Sequence, residues 1–320
     1  MDVVVFGATG YLGSHAAEQL MIAGHAVKCI VRPQSDTYFL QSIAADIHVV
    51  DFVNGDLSAH IDEGSCVLNC TADTRMHLSD LQRSKVEIDL TTQIFKAAAG
   101  AGAKRFMQLS TVMLYGFDRP PHAIDEQYSP SPKYSYSRIA ARRERVLLDL
   151  AKTSAMELIV LRPSNTLGKR DTSALPAILP LLEKGKFPVI GGGGWRYSNA
   201  DARDVGRAFV HLLDLPIVGP EIYLMKAYDI SWLDLKAEID NILGRKSRVL
   251  NIPRGLALGL GGVMEFLFPY GSSPPLTRFM VETLSSNTLF DDSKLRSTGF
   301  LPKYDLHETL LDALSDKSPY

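Results

Sequence analysis

The chain opens Asp2-Val3-Val4-Val5-Phe6-Gly7-Ala8-Thr9-Gly10-Tyr11-Leu12-Gly13 after its initial methionine. A short β-branched run passes directly into glycines spaced Gly-x-x-Gly-x-x-Gly, and a helical pattern begins near Tyr11. A strand that turns at once into a helix aims the helix's free N–H groups, and the positive end of its dipole, at one point that suits a pyrophosphate. Glycine is needed where a side chain would block the turn, the ligand or the packing of helix on strand. A second strand at 26–31 supplies the strand–turn–helix–strand context that makes a glycine triplet a dinucleotide-binding signal. The cofactor contacts expected here are Gly7, Thr9, Gly10, Tyr11, Leu12 and Gly13.

Strands and helices alternate through the first half. Strands are predicted at 3–6, 27–31, 47–50, 67–69, 106–109 and 158–161, and helices at 12–23, 78–99 and 133–152. Gly24, Gly100 and Gly102 act as stop signals. Apolar strands alternating with amphipathic helices predict an α/β chain, a Rossmann-type doubly wound parallel sheet with ligands at the carboxyl ends of its strands. After Arg162-Pro163 the pattern is irregular, with helices at 174–184, 201–213 and 232–243 among strand-like stretches at 187–190, 222–225 and 248–250. We expect a dinucleotide-binding unit over 1–162, joined by returning segments from the C-terminal half, and a smaller substrate-binding portion over most of 163–320. The loop punctuated by Pro120-Pro121 and Ser129-Pro130-Ser131-Pro132 has a length usually kept for function.

A net charge of -2 gives no electrostatic reason for a nucleic-acid or anionic-membrane partner. Cys29, Cys66 and Cys70 fall in or at the end of apolar strands, as expected for packing in a reducing compartment, and no Cys/His pair accompanies them to suggest a metal. The N-terminus enters a strand without a basic stretch and an apolar core before it, so no secretory signal is expected and the cytoplasm is the expected location. The most apolar stretch, 252–270, is interrupted by Pro253, Gly255, Gly259, Gly261, Gly262 and Glu265 and falls short of the ~20 apolar residues of a transmembrane span. It reads as a buried cap helix, a mobile lid over a hydrophobic substrate or an interfacial anchor. The lid reading favours a lipid-like, steroid-like or polyketide-like substrate over a nucleotide sugar.

At the end of the second strand stands Ile30-Val31-Arg32-Pro33-Gln34-Ser35. An acid here usually binds the ribose 2′-hydroxyl of NAD. Arg32 with Ser35 suits a 2′-phosphate, so NADP(H) is expected over NAD(H). Asp56 and Leu57 are placed to touch the adenine, and Thr71 and Ala72 to run beside the pyrophosphate and ribose.

These stretches, with Leu109-Ser110-Thr111, Leu114-Tyr115-Gly116, Leu161-Arg162-Pro163-Ser164-Asn165, Asp201-Ala202-Arg203-Asp204-Val205 and the closing segment 290–302, resemble the extended short-chain dehydrogenase/reductase family, which includes the NAD-dependent epimerases and dehydratases. The segment at 252–270 and Pro274-Pro275-Leu276-Thr277 are similar to its 3β-hydroxysteroid dehydrogenase-like branch. The resemblance implies that Pro163 and Ser164 also contact the cofactor, and that two chains dimerise through the helices at 78–99 and 133–152.

It further implies catalysis by a Ser or Thr, a Tyr, and a Lys four residues after the Tyr. Moving a hydride to or from a carbinol carbon requires moving a proton on its oxygen, and a tyrosine of pKa ≈ 10 needs a nearby cation to do so near neutral pH. The hydroxyl position falls on Thr111, with Ser110 beside it. The tyrosine helix, Pro132-Lys133-Tyr134-Ser135-Tyr136-Ser137-Arg138-Ile139-Ala140-Ala141-Arg142-Arg143-Glu144, admits two registers. One takes Tyr134 with Arg138 at the lysine position; the other takes Tyr136 with Ala140 there and puts Glu144 where the family has its glutamate. Neither supplies a lysine. We take the first, because Arg138 lies one helical turn from Tyr134 and is a cation, and leave the second open. His77 and His122 flank the expected mouth, and Arg75 and Arg203 are candidates for a polar substrate group.

The expected function is an NADP(H)-dependent oxidoreductase that interconverts a hydroxyl and a ketone on a hydrophobic small molecule. An epimerase, isomerase or cyclase that uses the nucleotide transiently or structurally, and a nucleotide-binding protein without catalysis, are the alternatives.

Overall fold

The computed structural model describes residues 1–172 and 174–315. The strands of its first half are β1 (Asp2–Phe6), β2 (Ala26–Val31), β3 (Asp46–Val49), β4 (Cys66–Asn69), β5 (Arg105–Leu109) and β6 (Glu157–Pro163). Those of the second are β7 (Asn165–Leu167), β8 (Lys186–Ile190), β9 (Arg196–Asp201), β10 (Glu221–Met225), β11 (Tyr228–Ser231) and β12 (Arg248–Ile252). Among the described residues, seven strands form one sheet in the order β10-β6-β5-β4-β1-β2-β3, every neighbouring pair parallel. The first half thus folds as the alternation predicts, and the order reverses at β1, which pairs with both β2 and β4. A crevice opens outside the carboxyl ends of strands at such a reversal.

Both faces are covered. Helices Tyr11–Ile22 and Ala202–Leu213 pack on one, burying Ala16, Ala17, Leu20, Val205, Phe209 and Leu212. Helices Thr91–Gly100 and Ser135–Ala151 pack on the other through Ile94, Phe95, Ala98 and Leu147. On the first face the two helices approach so closely that a Cβ at Gly206 would lie 2.6 Å from the His15 carbonyl oxygen. Arg105, at the start of β5, is fully buried; it pairs with Glu157 and donates to the carbonyls of Leu212 and Leu213, orphan acceptors at the end of the Ala202–Leu213 helix, and of Leu215 just beyond it.

The sheet takes its seventh strand, β10, from residues 221–225, far beyond the first-half alternation. A three-stranded sheet, β11-β9-β7, and the parallel pair β12–β8 surround a separate apolar cluster that includes Leu167, Phe187, Tyr197 and Ile230. Strands β7, β9 and β11 and helix Arg278–Leu284 carry no clear periodicity in the sequence and were not anticipated. The helix expected over 78–99 is present as three abutting pieces, α-helical at Asp80–Ser84, π-helical at Lys85–Leu90 and α-helical at Thr91–Gly100.

The apolar stretch forms helix Arg254–Leu267, and the buried-cap reading of it does not hold. Only Ala257 and Gly261 are buried, where Gly261 lets the helix ride against the Thr277–Arg278 backbone. Leu256, Leu260, Val263, Phe266 and Leu267 are exposed along it. Among the described residues no helix is long and apolar enough to cross a membrane. Cys29, Cys66 and Cys70 are free thiols, all buried.

Candidate active site

The glycine turn lies at the carboxyl end of β1, beside the order reversal. Gly7 has φ +80, and a Cβ there would meet the Cys70 carbonyl carbon at 2.7 Å, so backbone freedom and close approach to the end of β4 both demand glycine. A Cβ on Gly13 would fall 2.1 Å from the Gly7 carbonyl oxygen, which fixes the helix tightly on its turn. Gly10 is the N-cap and offers no side-chain acceptor; the first bonds of the turn run from Gly10 to Gly7 (3.0 Å) and from Ser14 to Gly10 (2.8 Å). Among the described residues the amides of Tyr11, Leu12 and Gly13 therefore have no backbone acceptor, as the start of a helix leaves them. Uncapped donors converging beside an open crevice fit a diphosphate, and these residues would hold one by backbone N–H groups. Thr9, Gly10, Tyr11 and Ser14 line a cavity of about 230 Å³ together with Tyr38, Phe39 and Arg170.

The remaining residues expected at the cofactor divide. Arg32 is exposed at the end of β2 with no ion-pair partner among the described residues, and Ser35 turns back onto it, its amide donating to the Arg32 carbonyl at 3.0 Å. Asp56 is exposed and accepts from the Ser58 amide (2.9 Å) and hydroxyl (2.6 Å), which hold its carboxyl below the usual range; Leu57 is buried beneath it. Thr71 is buried and tied by its hydroxyl to Asn69 (2.7 Å), while Ala72 is exposed. Pro163 and Ser164 are buried at the end of β6, where the Ser164 amide donates to Met225.

The tyrosine helix presents its two tyrosines to different neighbours. Tyr134 is the N-cap residue, with its ring edge-on to Phe117 and Phe279; burial, with Glu282 second, pushes its phenol up to about 12. Arg138 does not turn toward it. Its guanidinium pairs in solvent with Asp80 at 2.8 Å and donates to the Lys133 carbonyl. Tyr136 instead faces Thr111, at the carboxyl end of β5. Burial raises its phenol first and Glu87 adds to this, while Thr111, Arg143 and Arg83 pull it down. Thr111 also accepts from the Met113 amide at 3.2 Å, starting the short helix Val112–Tyr115.

A buried network holds this arrangement. Glu144, on the tyrosine helix, accepts from Arg162 of β6 (3.1 and 2.5 Å) and from the Ser110 hydroxyl, and Arg162 also bonds the Tyr115 hydroxyl at 2.5 Å. Beside it lies a second cluster. Arg83 pairs with Glu87 at 3.0 Å, Glu87 lies 3.5 Å from Arg143, and Arg143 donates to the carbonyls of Thr71 (3.3 Å) and Leu109 (3.1 Å). All three side chains are almost wholly buried, and the Arg83 guanidinium carbon sits 5.2 Å from the centre of the Tyr136 ring. Neither arginine nor Glu87 was expected at the site. Glu87 is turned in by the π-helical segment, which periodicity cannot reveal.

The flanking candidates have other duties. His77 is buried, bonds the Phe268 carbonyl at 3.0 Å and stacks on Tyr270 at 4.7 Å. Arg75 pairs with Asp73 and reaches the Gly271 carbonyl at 3.2 Å. Together with the Gly271 amide on the His77 carbonyl (2.8 Å), these contacts strap residues 268–272 onto the loop after β4. His122 is exposed on the long loop. Arg203 is remote from these groups: it pairs with Asp201 and Asp312 and lies over the Tyr304 ring.

A parallel sheet reversing at β1, with a glycine turn at its carboxyl edge and a Tyr–Thr pair two strands away, is the arrangement of a dinucleotide-dependent enzyme of the extended short-chain type. Residues 3–225 match the model of the NAD dependent epimerase/dehydratase family, and the chain belongs to that family. It is 24% identical to an N-acetyl-alpha-D-glucosaminyl-diphospho-ditrans,octacis-undecaprenol 4-epimerase of Escherichia coli O157:H7, over 97% of this chain and 93% of that one. It is 25% identical to the decarboxylating sterol-4-alpha-carboxylate 3-dehydrogenase of Bos taurus, over 59% of this chain and 53% of that one. Its fold is similar to that of UDP-glucuronic acid 4-epimerase from Bacillus cereus in complex with UDP-glucuronic acid and NAD, with a TM-score of 0.77, 21% identity, and 98% and 97% of the two chains covered.

Proposed function

We propose that the chain is an NADP(H)-dependent oxidoreductase that interconverts a hydroxyl and a ketone on a hydrophobic small molecule. The observation that carries this reading is the placement of the Tyr136 phenol beside the Thr111 hydroxyl at the carboxyl edge of the sheet. A bound nicotinamide dinucleotide supplies the hydride acceptor or donor. The glycine turn binds its diphosphate through the free amides of Tyr11, Leu12 and Gly13, and Arg32 with Ser35 receives a ribose 2′-phosphate. Thr111 orients the substrate oxygen by a hydrogen bond. Tyr136 takes the hydroxyl proton in the oxidative direction and returns it to the carbonyl oxygen in the reductive one. An apolar substrate is supported by the exposed leucines of helix Arg254–Leu267 and by two relatives whose names specify an undecaprenol-linked sugar and a sterol.

The test is oxidation of NADPH and NADH by the purified chain with a panel of apolar ketones. NADPH is expected to be the better substrate, and Arg32→Ala to remove that preference. Tyr136→Phe is expected to lower turnover by about a hundredfold or more while nucleotide binding persists, and Tyr134→Phe to leave turnover near wild type. Full turnover by Tyr136→Phe defeats the assignment.

Transient oxidation at the same residues, giving net epimerisation, is the second reading. It is favoured by the epimerase relative that spans 97% of this chain. Nucleotide that stays bound through purification, with no net consumption of NADPH during turnover, distinguishes it.

A further inference from the structure

In the register of Tyr136 the lysine position is Ala140, and Arg138, the nearest cation in sequence, points away to Asp80. The tyrosine would therefore stand without its cation unless another group supplies one. We propose that Arg143 is that group: its guanidinium occupies the place of the missing lysine beside Tyr136 and the nicotinamide ribose, held there by Glu87 and Arg83. The inference rests on Tyr136 being the proton-transfer residue.

Residues 136, 140 and 143 share one face of the Ser135–Ala151 helix. Side chains on a helix lean toward its N-terminus, so a residue covers the turn before its own Cα. Arg143 accordingly reaches back over the turn that carries Ala140, and the small buried methyl of Ala140 leaves the room that a lysine stem would fill. Its guanidinium donates to the carbonyls of Thr71 and Leu109, which end β4 and β5 at the ligand edge of the sheet. Arg143 is only 3% exposed, yet among the described residues its Nε has no acceptor.

The charge also balances. Two guanidinium groups and the Glu87 carboxylate sum to +1, the charge of one lysine ammonium. Glu87 contacts both arginines because the π-helical turn at Lys85–Leu90 directs it inward. The chemical difference is that a guanidinium keeps its proton at every working pH, so the positive charge beside the tyrosine does not titrate.

Binding of NADPH and NADH, followed by fluorescence, tests this on the full chain, with thermal melting as the check on folding. Arg143→Met is expected to weaken binding about tenfold or more. Arg143→Met combined with Ala140→Lys is expected to recover binding to within about threefold of wild type, because the cation returns from its family position. The doubly substituted chain should also gain an alkaline loss of activity that the wild type lacks. Wild-type affinity in a folded Arg143→Met overturns the inference, as does a folded double variant that fails to recover. Should Arg143→Met alone not fold, the double variant decides. A wild-type chain that binds neither nucleotide overturns the dinucleotide reading itself, and this inference falls with it.

Discussion

Glu144 shows how one side chain can fix three elements. It receives Arg162 from β6 and Ser110 from the end of β5 while standing on the helix that carries Tyr136, and all of these groups are buried. Removing one partner of such a pair leaves an uncompensated charge in a low-dielectric interior, which costs about 3–5 kcal/mol. Arg162→Met is therefore expected to lower the free energy of unfolding by that amount in urea titrations, and to misplace Tyr136 relative to Thr111 in any fraction that folds. His15 gives a pH dependence of definite sign. Burial, helped by Arg170, pulls its imidazole from an ordinary 6.5 down to about 3. The folded chain keeps it neutral, so its stabilising share is complete above pH 6.5 and declines as the pH falls toward 3, where the unfolded chain gains a proton that the folded one refuses. Between pH 7 and pH 5 the loss is about 2 kcal/mol. Urea unfolding at the two pH values measures it, and His15→Gln is expected to flatten the difference.

The glycines give the elements their spacing. Gly206→Ala would force the Ala202–Leu213 helix off the Tyr11–Ile22 helix, because its Cβ has only 2.6 Å to the His15 carbonyl. Overpacking of this kind costs about 1–3 kcal/mol, and the melting temperature should fall accordingly with the sheet intact. Gly13→Ala should instead abolish nucleotide binding, since the helix start itself must move. These turns, the parallel sheet and the Gly7–Gly13 cradle were legible because each is a local pattern: an apolar strand, a glycine set and a 3.6-residue period in fixed order. The different surroundings of the two candidate tyrosines were not. Arg138 stands one turn from Tyr134 in the sequence, yet its side chain leans outward to Asp80, a partner 58 residues earlier. Arg143 and Arg83 were invisible for the same reason. What brings them to Tyr136 is Glu87 on a π-helical turn, and that local change of period has no signature in hydrophobic spacing.

Across the molecule, residues 268–272 are bound to the loop after β4 by His77, Arg75 and Gly271, next to the segment that supplies Arg83. His77→Ala removes one bond and one ring stack, and is expected to speed release of a bound nicotinamide dinucleotide in stopped-flow displacement while leaving the glycine turn's contribution to affinity unchanged. A last consequence follows from β10. The strand beside β6 comes from residues 221–225, and a helix from residues 202–213 seals one face of the sheet. A chain ending at residue 162 would have a bare β6 edge and an uncovered apolar face, both of which invite aggregation. The two halves should therefore melt in a single transition, and proteolytic nicking between them should unfold the sheet instead of releasing a stable nucleotide-binding fragment.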